Sequence, residues 1–154
     1  MKRFCFLFMV ALCAVVIFSC QSQTEKNDEC REMLTAFYNE YLYGSESQAM
    51  QYCDPKLASA VKLLLADMVI DADPFIGAQD IIGGLERHEF EIECSKAEYG
   101  DGWWSMRYDT GYDGETSVPL HVAKQQGKYV IDDVMLWDGV SVMKMRDEYS
   151  VEEK

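Results

Sequence analysis

Apolar side chains recur at helical spacing through the first half of the chain. Their separation of three or four residues predicts a first helix with one buried face, and Asn27 and Gly44 suit its two ends. Its apolar stripe consists of Cys30, Met33, Leu34, Phe37, Tyr38, Tyr41 and Leu42. Asp54 followed by Pro55 predicts the start of another helix, after a short helical segment within residues 45–52. Its apolar stripe consists of Leu57, Val61, Leu64, Leu65 and Met68.

From residue 86 the apolar positions alternate with polar ones, which predicts strands with one buried face. The alternating residues are Phe90, Ile92 and Cys94, then Trp104, Met106 and Tyr108, then Val118, Leu120 and Val122. Gln125-Gln126-Gly127 predicts a hairpin turn before a return strand over Tyr129–Met135, and Pro119 indicates an edge strand or a bulge. Residues 142–154 fit a short helix or a frayed tail. Helices followed by strands predict an α+β fold, with the helices on one face of a curved antiparallel sheet.

Three segments carry a resemblance to known families. The late strand Gly127–Val134, with the element order, is similar to the nuclear transport factor 2-like fold, a cystatin-like cone. The segments Phe37–Leu42 and Asp73–Asp80 resemble bacterial envelope lipoproteins of the domain-of-unknown-function family 3828. The resemblance covers about residues 28–137. It implies a cone-shaped domain in the bacterial envelope and implies no reaction.

The N-terminus has the order of a secretory signal. Lys2 and Arg3 precede an uncharged apolar run over Phe4–Phe18, which is shorter than the roughly 20 residues of a membrane-spanning helix. The sequence Ile17-Phe18-Ser19-Cys20 resembles the lipobox of bacterial lipoproteins, which implies cleavage before Cys20 and lipid attachment to it. An ordinary secretory signal or an uncleaved anchor is the alternative.

These features predict four parts of the chain. Residues 1–19 form a lipoprotein signal peptide, and residues 20–27 form the lipidated Cys20 with a polar tether. Residues 28–140 form a single α+β domain, and residues 141–154 form a C-terminal tail. The expected location is the Gram-negative cell envelope, lipid-anchored in the outer membrane and facing the periplasm.

The charge balance excludes two classes of partner. The 154 residues contain 14 Lys and Arg against 27 Asp and Glu, a formal net charge of −13. A nucleic-acid binder needs basic side chains to neutralise phosphates, so no nucleic-acid partner is expected. The domain itself is equally unsuited to an anionic membrane surface. The expected partners are the membrane, through lipid on Cys20, and an unknown small molecule or protein, with a homodimer as a further candidate.

Three of the six cysteines fall within the predicted domain. Cys30 and Cys53, on consecutive helices, are the pair best placed to bridge, and Cys94 is expected in the buried face of the sheet. Three unbridged buried thiols are the alternative.

The cysteine spacing does not fit a zinc site. The acidic groups Asp71, Asp73 and Asp80, and Asp109, Asp113 and Glu115, lack the remaining features of a calcium loop. No metal and no cofactor are expected.

Two sets of residues are candidates for a binding site. Asp73, Phe75, Gln79 and Asp80 form a candidate pocket rim, with Asp73 as a backbone cap and Phe75 as a plug into the core. The candidate cavity residues are Tyr38, Tyr41, Trp104 and Asp133. No residue is assigned a catalytic role, and a non-catalytic module that binds a ligand, peptide or partner is the predicted function. The alternatives are a small isomerase or hydrolase using Asp133 with a tyrosine or His121, and a structural envelope subunit.

Overall fold

A computed structural model describes residues 25–78, 90–94, 99–109 and 114–152, and it confirms the α+β class. The predicted signal peptide and Cys20 lie outside the described residues. The helices are α1 (25–43), α2 (Glu46–Ala49), which continues into a 3-10 turn over Met50–Tyr52, α3 (Pro55–Ala66) and α4 (Val142–Glu152). The strands are β1 (Phe90–Cys94), β2 (Trp103–Asp109), β3 (Glu115–Gln125) and β4 (Lys128–Val134).

Helix α1 buries the stripe that the sequence predicts. Leu34, Phe37 and Tyr38 are fully buried, and the helix ends before Gly44, whose N–H donates to the carbonyl of Glu40. Residues 25–27, which were predicted to belong to the polar tether, are part of α1. Glu and Lys are good helix formers, so the helix includes residues N-terminal to the predicted cap.

Helix α3 begins as the sequence predicts and ends earlier. The Asp54 carboxylate accepts a hydrogen bond from the N–H of Lys56, and Pro55 is the first helical residue. Leu57 and Leu64 are fully buried, but Leu65 and Met68 are exposed, so the end of the predicted stripe is wrong. The helix stops at Ala66, and Met68 adopts a left-handed conformation that turns its side chain away from the core.

The four strands form an antiparallel meander in the order β1-β2-β3-β4. The predicted alternation is confirmed, since Ile92, Trp104, Met106, Tyr108, Val118, Leu120 and Val122 all lie in the core beneath the helices. The hairpin turn between β3 and β4 consists of Gln126 and Gly127, both with positive φ. A two-residue turn of this kind matches the twist of the strands that it joins.

Of the two alternatives for Pro119, the edge strand is wrong, because β3 lies between β2 and β4, and the irregularity that the structure has lies two residues after it. The strand tolerates proline there because the β3–β4 ladder ends at the pair Leu120–Val134. Beyond that pair the Pro119 carbonyl still accepts from the N–H of Met135, but the N–H that proline lacks is not needed by the ladder. A register shift follows at His121 and Val122, which leaves Asp132 of β4 without an opposite residue.

The segment predicted as a short helix or a frayed tail is helix α4. Val142 is fully buried, and the helix contacts α3 and β4. The packed unit therefore extends past residue 140, where the sequence placed the end of the domain.

Cys30 and Cys53 are both buried and are not joined in a disulfide. The structure therefore matches the alternative of unbridged thiols for this pair. Burial and the neighbouring Asp54 charge raise the pKa of the Cys53 thiol to about 12. The side chain of Cys94 lies outside the described part, although its backbone ends β1.

Candidate functional site

A tight turn over residues 73–78 is organised by the carboxylate of Asp73. Its Oδ1 accepts hydrogen bonds from the N–H groups of Phe75 at 2.8 Å and Ile76 at 3.2 Å. Its Oδ2 accepts from the hydroxyl of Tyr41 at 2.6 Å. An aspartate before a proline caps the following turn in this way because its backbone is extended. Both oxygens are thus engaged by groups of the protein itself.

Two further tyrosines fix the same turn to the core. The Tyr38 hydroxyl donates to the carbonyl of Phe75 at 2.9 Å, and the Tyr108 hydroxyl donates to that of Ile76 at 2.8 Å. Burial and the nearby Asp73 charge hold the pKa of Tyr38 well above its ordinary value and raise that of Tyr108 to about 12. The hydroxyls therefore remain protonated donors at physiological pH, and the turn is a rigid wall.

A second rigid turn lies between β4 and α4. Gly139 donates to the carbonyl of Leu136 at 3.0 Å, Leu136 donates to that of Val140 at 2.9 Å, and Asp138 Oδ1 accepts from Val140 N–H at 3.0 Å. Gly139 has a φ of 79°, which favours glycine. This turn holds Trp137 with 87% of its surface exposed.

The two turns and the sheet bound a cleft of about 460 Å³. The first wall is the segment 69–77, the second wall is the segment 135–139, and the third wall consists of Ser105 with Thr116–Pro119 of β2 and β3. Apolar groups such as Val118 and Leu136 line it, together with Asp71, Asp73 and Asp138. No described lining residue is basic. The cleft is therefore apolar with an acidic rim.

The four candidate rim residues have different positions. Asp73 lines the cleft, whereas Phe75 is fully buried in the core, as its interpretation as a plug predicts. Gln79 and Asp80 lie outside the described residues. The expectation that Asp73 caps the backbone agrees with its hydrogen bonds, although the segment forms a turn and not a helix.

The four candidate cavity residues do not line this cleft. Tyr38 and Trp104 are packed in the core at 0% and 3% exposure, so their own side chains fill the space between helix and sheet. Tyr41 stacks on Phe37 with ring centroids 5.3 Å apart. The cavity expected inside the cone is occupied at these positions by aromatic rings.

Asp133 lies in β4, and its carboxylate reaches the first turn of α4. Its Oδ1 accepts from the N–H of Val134 at 2.9 Å and from that of Met143 at 3.1 Å. A carboxylate at this position accepts from an otherwise unpaired N–H of the first helical turn, and its negative charge interacts favourably with the positive end of the helix dipole. The geometry is that of a helix cap, not of a general base in an apolar pocket.

His121 lies on the outer face of the sheet, as its place in the alternation predicts. Its Nδ1 is 2.6 Å from Asp132 Oδ1, and its ring lies 5.2 Å from that of Trp103. The register shift directs Asp132 toward this imidazole. Trp103 and Trp104 lie on opposite faces of β2, because successive side chains of a strand alternate.

Sequence reasoning missed Trp137 and Asp138. Leu136–Gly139 comes shortly after the last strand and ends in glycine, so the pattern could have predicted a tight turn with an outward tryptophan.

Within the described ranges, no three His, Cys, Asp or Glu side chains form a group that could hold a metal ion. No helix among these residues is long and apolar enough to cross a membrane.

Fold and site together define an α+β domain that presents an aromatic, acid-rimmed cleft. No family model and no curated protein matches the chain. Among solved structures, the chain is similar to a protein of unknown function from Bacteroides thetaiotaomicron VPI-5482, with a TM-score of 0.62 and 23% identity. The match covers 78% of this chain and 98% of that chain, and it supports the fold alone.

Proposed function

We propose that the protein is a lipid-anchored binding module of the Gram-negative envelope that holds its ligand in the cleft without chemical conversion. The signal-like N-terminus and the lipobox-like sequence before Cys20 support the anchor and the address. The location that we propose is the outer membrane, with the domain facing the periplasm. The polar residues after Cys20 leave room for the domain to extend from the lipid.

The observation that carries the proposal is the exposure of Trp137. A tryptophan held in water at 87% exposure by a hydrogen-bonded turn leaves a large apolar surface unburied beside a cleft. Binding sites commonly present such rigid aromatic side chains, because they bury a large area at small entropic cost. A single exposed apolar residue is ordinary, but this one forms the wall of the cleft.

The carboxylates of Asp73 and Asp133 are engaged by hydrogen bonds within the protein, which favours a binding role over catalysis. General acid–base chemistry requires a carboxylate free to exchange a proton with a substrate. Both oxygens of Asp73 accept hydrogen bonds from the protein, and Asp133 caps α4. Removal of either side chain is therefore expected to affect stability and not a chemical step.

A thermal-shift panel of metabolites, peptidoglycan fragments and short peptides tests the binding claim. We expect at least one compound to raise the melting temperature of the wild type, and Trp137→Ala to abolish that shift while it leaves the unliganded melting temperature within about a degree. Met68→Asn is the matched control, since Met68 is also 87% exposed but does not line the cleft. A shift that survives in Trp137→Ala contradicts the assignment.

The address has a separate test. Cys20→Ala is expected to abolish metabolic lipid labelling and to move the protein out of the membrane fraction, because the lipid is attached at that residue. Unchanged fractionation would exclude the lipid anchor and would leave the cleft assignment intact.

A further inference from the structure

We propose that the cleft binds an extended peptide segment carrying a basic side chain, which adds to the sheet as a strand beside residues 115–118 of β3. The inference rests on the proposed function, since it names the class of ligand for the same cleft. It follows from three features: an open strand edge, an acidic rim and the exposed tryptophan.

The open edge arises because β3 is longer than β4. β3 spans Glu115–Gln125, but its ladder with β4 starts at Leu120. The carbonyl of Pro119 accepts from Met135 N–H at 2.9 Å, so the backbone groups of Pro119 point to the β4 side. Because these groups alternate along a strand, the N–H and C=O of Ser117 point the same way, into the cleft.

The outer edges of the sheet are treated differently. Along β4, the backbone of Cys53 forms an isolated parallel β-bridge with Ile131, and the Asp54 N–H donates to the Ile131 carbonyl at 2.7 Å. Along β1, the Arg31 guanidinium donates to the carbonyl of Ile92. Proteins generally cover or interrupt their strand edges, because an open edge pairs with other chains. In the described part of the chain, the Ser117 edge faces the cleft with no strand beside it.

Charge and surface chemistry identify the ligand further. The described lining contains three aspartates and no basic residue, and the exposed Asp71 and Asp138 leave the rim negative. Strand addition supplies backbone hydrogen bonds, while the surrounding groups select side chains. A lysine or arginine complements the rim and can also pack against the indole of Trp137.

Two variants of one residue test the backbone pairing. Ser117→Pro removes the N–H that faces the cleft, and it leaves the β2 ladder intact because that N–H points away from β2. Ser117→Ala removes the hydroxyl, which lies 2.5 Å from that of Ser105, and keeps the N–H. The probes are acetylated and amidated heptapeptides of alternating Val and Thr, carrying either two Lys or two Glu at the same positions.

We expect the Lys peptide to bind the wild type and Ser117→Ala about equally, and Ser117→Pro about tenfold more weakly. N-methylation of the central amides of the peptide should weaken binding to the wild type similarly, which keeps the test independent of how Ser117→Pro folds. The Glu peptide should bind at least tenfold more weakly than the Lys peptide. Asp138→Asn keeps the acceptor for the Val140 N–H but removes the charge, so it should reduce the ratio between the affinities for the Lys and Glu peptides. Glu32→Gln removes an exposed charge on α1, away from the cleft, and should leave this ratio unchanged.

The results separate this inference from the proposed function. If metabolites or peptidoglycan fragments give Trp137-dependent shifts while neither peptide binds, strand addition is wrong and the cleft remains a binding site. If the Lys peptide binds but tolerates N-methylation, the backbone pairing is wrong. Slow exchange of the Ser117 N–H in the free protein would show that the edge is already paired and would also overturn the inference. If no compound in either experiment binds at the cleft, both proposals fail.

Discussion

At the scale of single residues, Asp73 has two roles that a sequence does not separate. Its side chain lines the cleft, and its oxygens hold the turn that forms the wall of that cleft. The Tyr41 hydroxyl and two backbone N–H groups compete with any ligand for the same lone pairs. Asp73 therefore shapes the site more than it contacts what binds there.

Asp73→Ala is expected to lower the free energy of unfolding by about 2–3 kcal/mol, because it leaves the Tyr41 hydroxyl and the turn N–H groups without their acceptor. Tyr41→Phe removes one donor and should cost about 1 kcal/mol. Urea denaturation of both variants and the wild type measures this. Full stability of Asp73→Ala together with loss of ligand binding would show instead that the carboxylate is a ligand contact.

At the scale of elements, the boundaries that depend on local chemistry could be predicted. The Asp54-Pro55 helix start, the Gln126-Gly127 hairpin and the inward face of each strand follow from capping, turn preference and alternation. The position of Pro119 could not be predicted, because it depends on where β4 ends relative to β3.

The same limit explains the errors at the site. Trp137 and the edge of β3 are brought together by the pairing of β3 with β4, which is not visible from local patterns. The rings of Tyr38 and Trp104 fill the space where a cavity was expected. That filling depends on how the core packs, which the sequence does not show. Asp73 was found because its cap depends only on its neighbours in the chain.

The docking of α4 depends on Asp133. Asp133→Ala is expected to lower the free energy of unfolding by about 1 kcal/mol, since it removes an acceptor for the first turn of α4. Asp132→Ala is the neighbouring control and should cost less, because its pair with His121 is partly exposed to solvent. Thermal unfolding of the two variants compares them, and an unaltered Asp133→Ala protein would reopen the enzyme alternative.

At the scale of the whole molecule, the buried tyrosines determine how stability responds to alkali. The pKa of Tyr38 lies well above its ordinary value in the folded protein because of burial and the Asp73 charge, whereas the unfolded chain ionises near the ordinary value of about 10. The folded state thus retains protons that the unfolded state releases. The stability that Tyr38 contributes through this difference is fully present below pH 10 and falls as the pH rises above it.

We expect the free energy of unfolding to fall above pH 10 by about 1.4 kcal/mol per pH unit for each such group. Cys53, whose pKa is raised to about 12 by burial, adds to the decline from about pH 9. Tyr38→Phe should be less stable at pH 8, because the Phe75 carbonyl loses its donor, but should decline less steeply above pH 10. Denaturant titrations between pH 8 and 11 measure both effects, and equal slopes would contradict the account.

The central claim is that the cleft between the two turns and the β3 edge is where this protein binds its ligand. Amide hydrogen exchange measured with and without a compound that raises the melting temperature tests it directly. We expect slower exchange confined to Ser105 and to segments 69–77, 116–119 and 135–139, which form the three walls of the cleft. Protection centred on the groove between α2 and α3, lined by Met50, Ala58 and Leu65, or no protection of these walls, would contradict the claim.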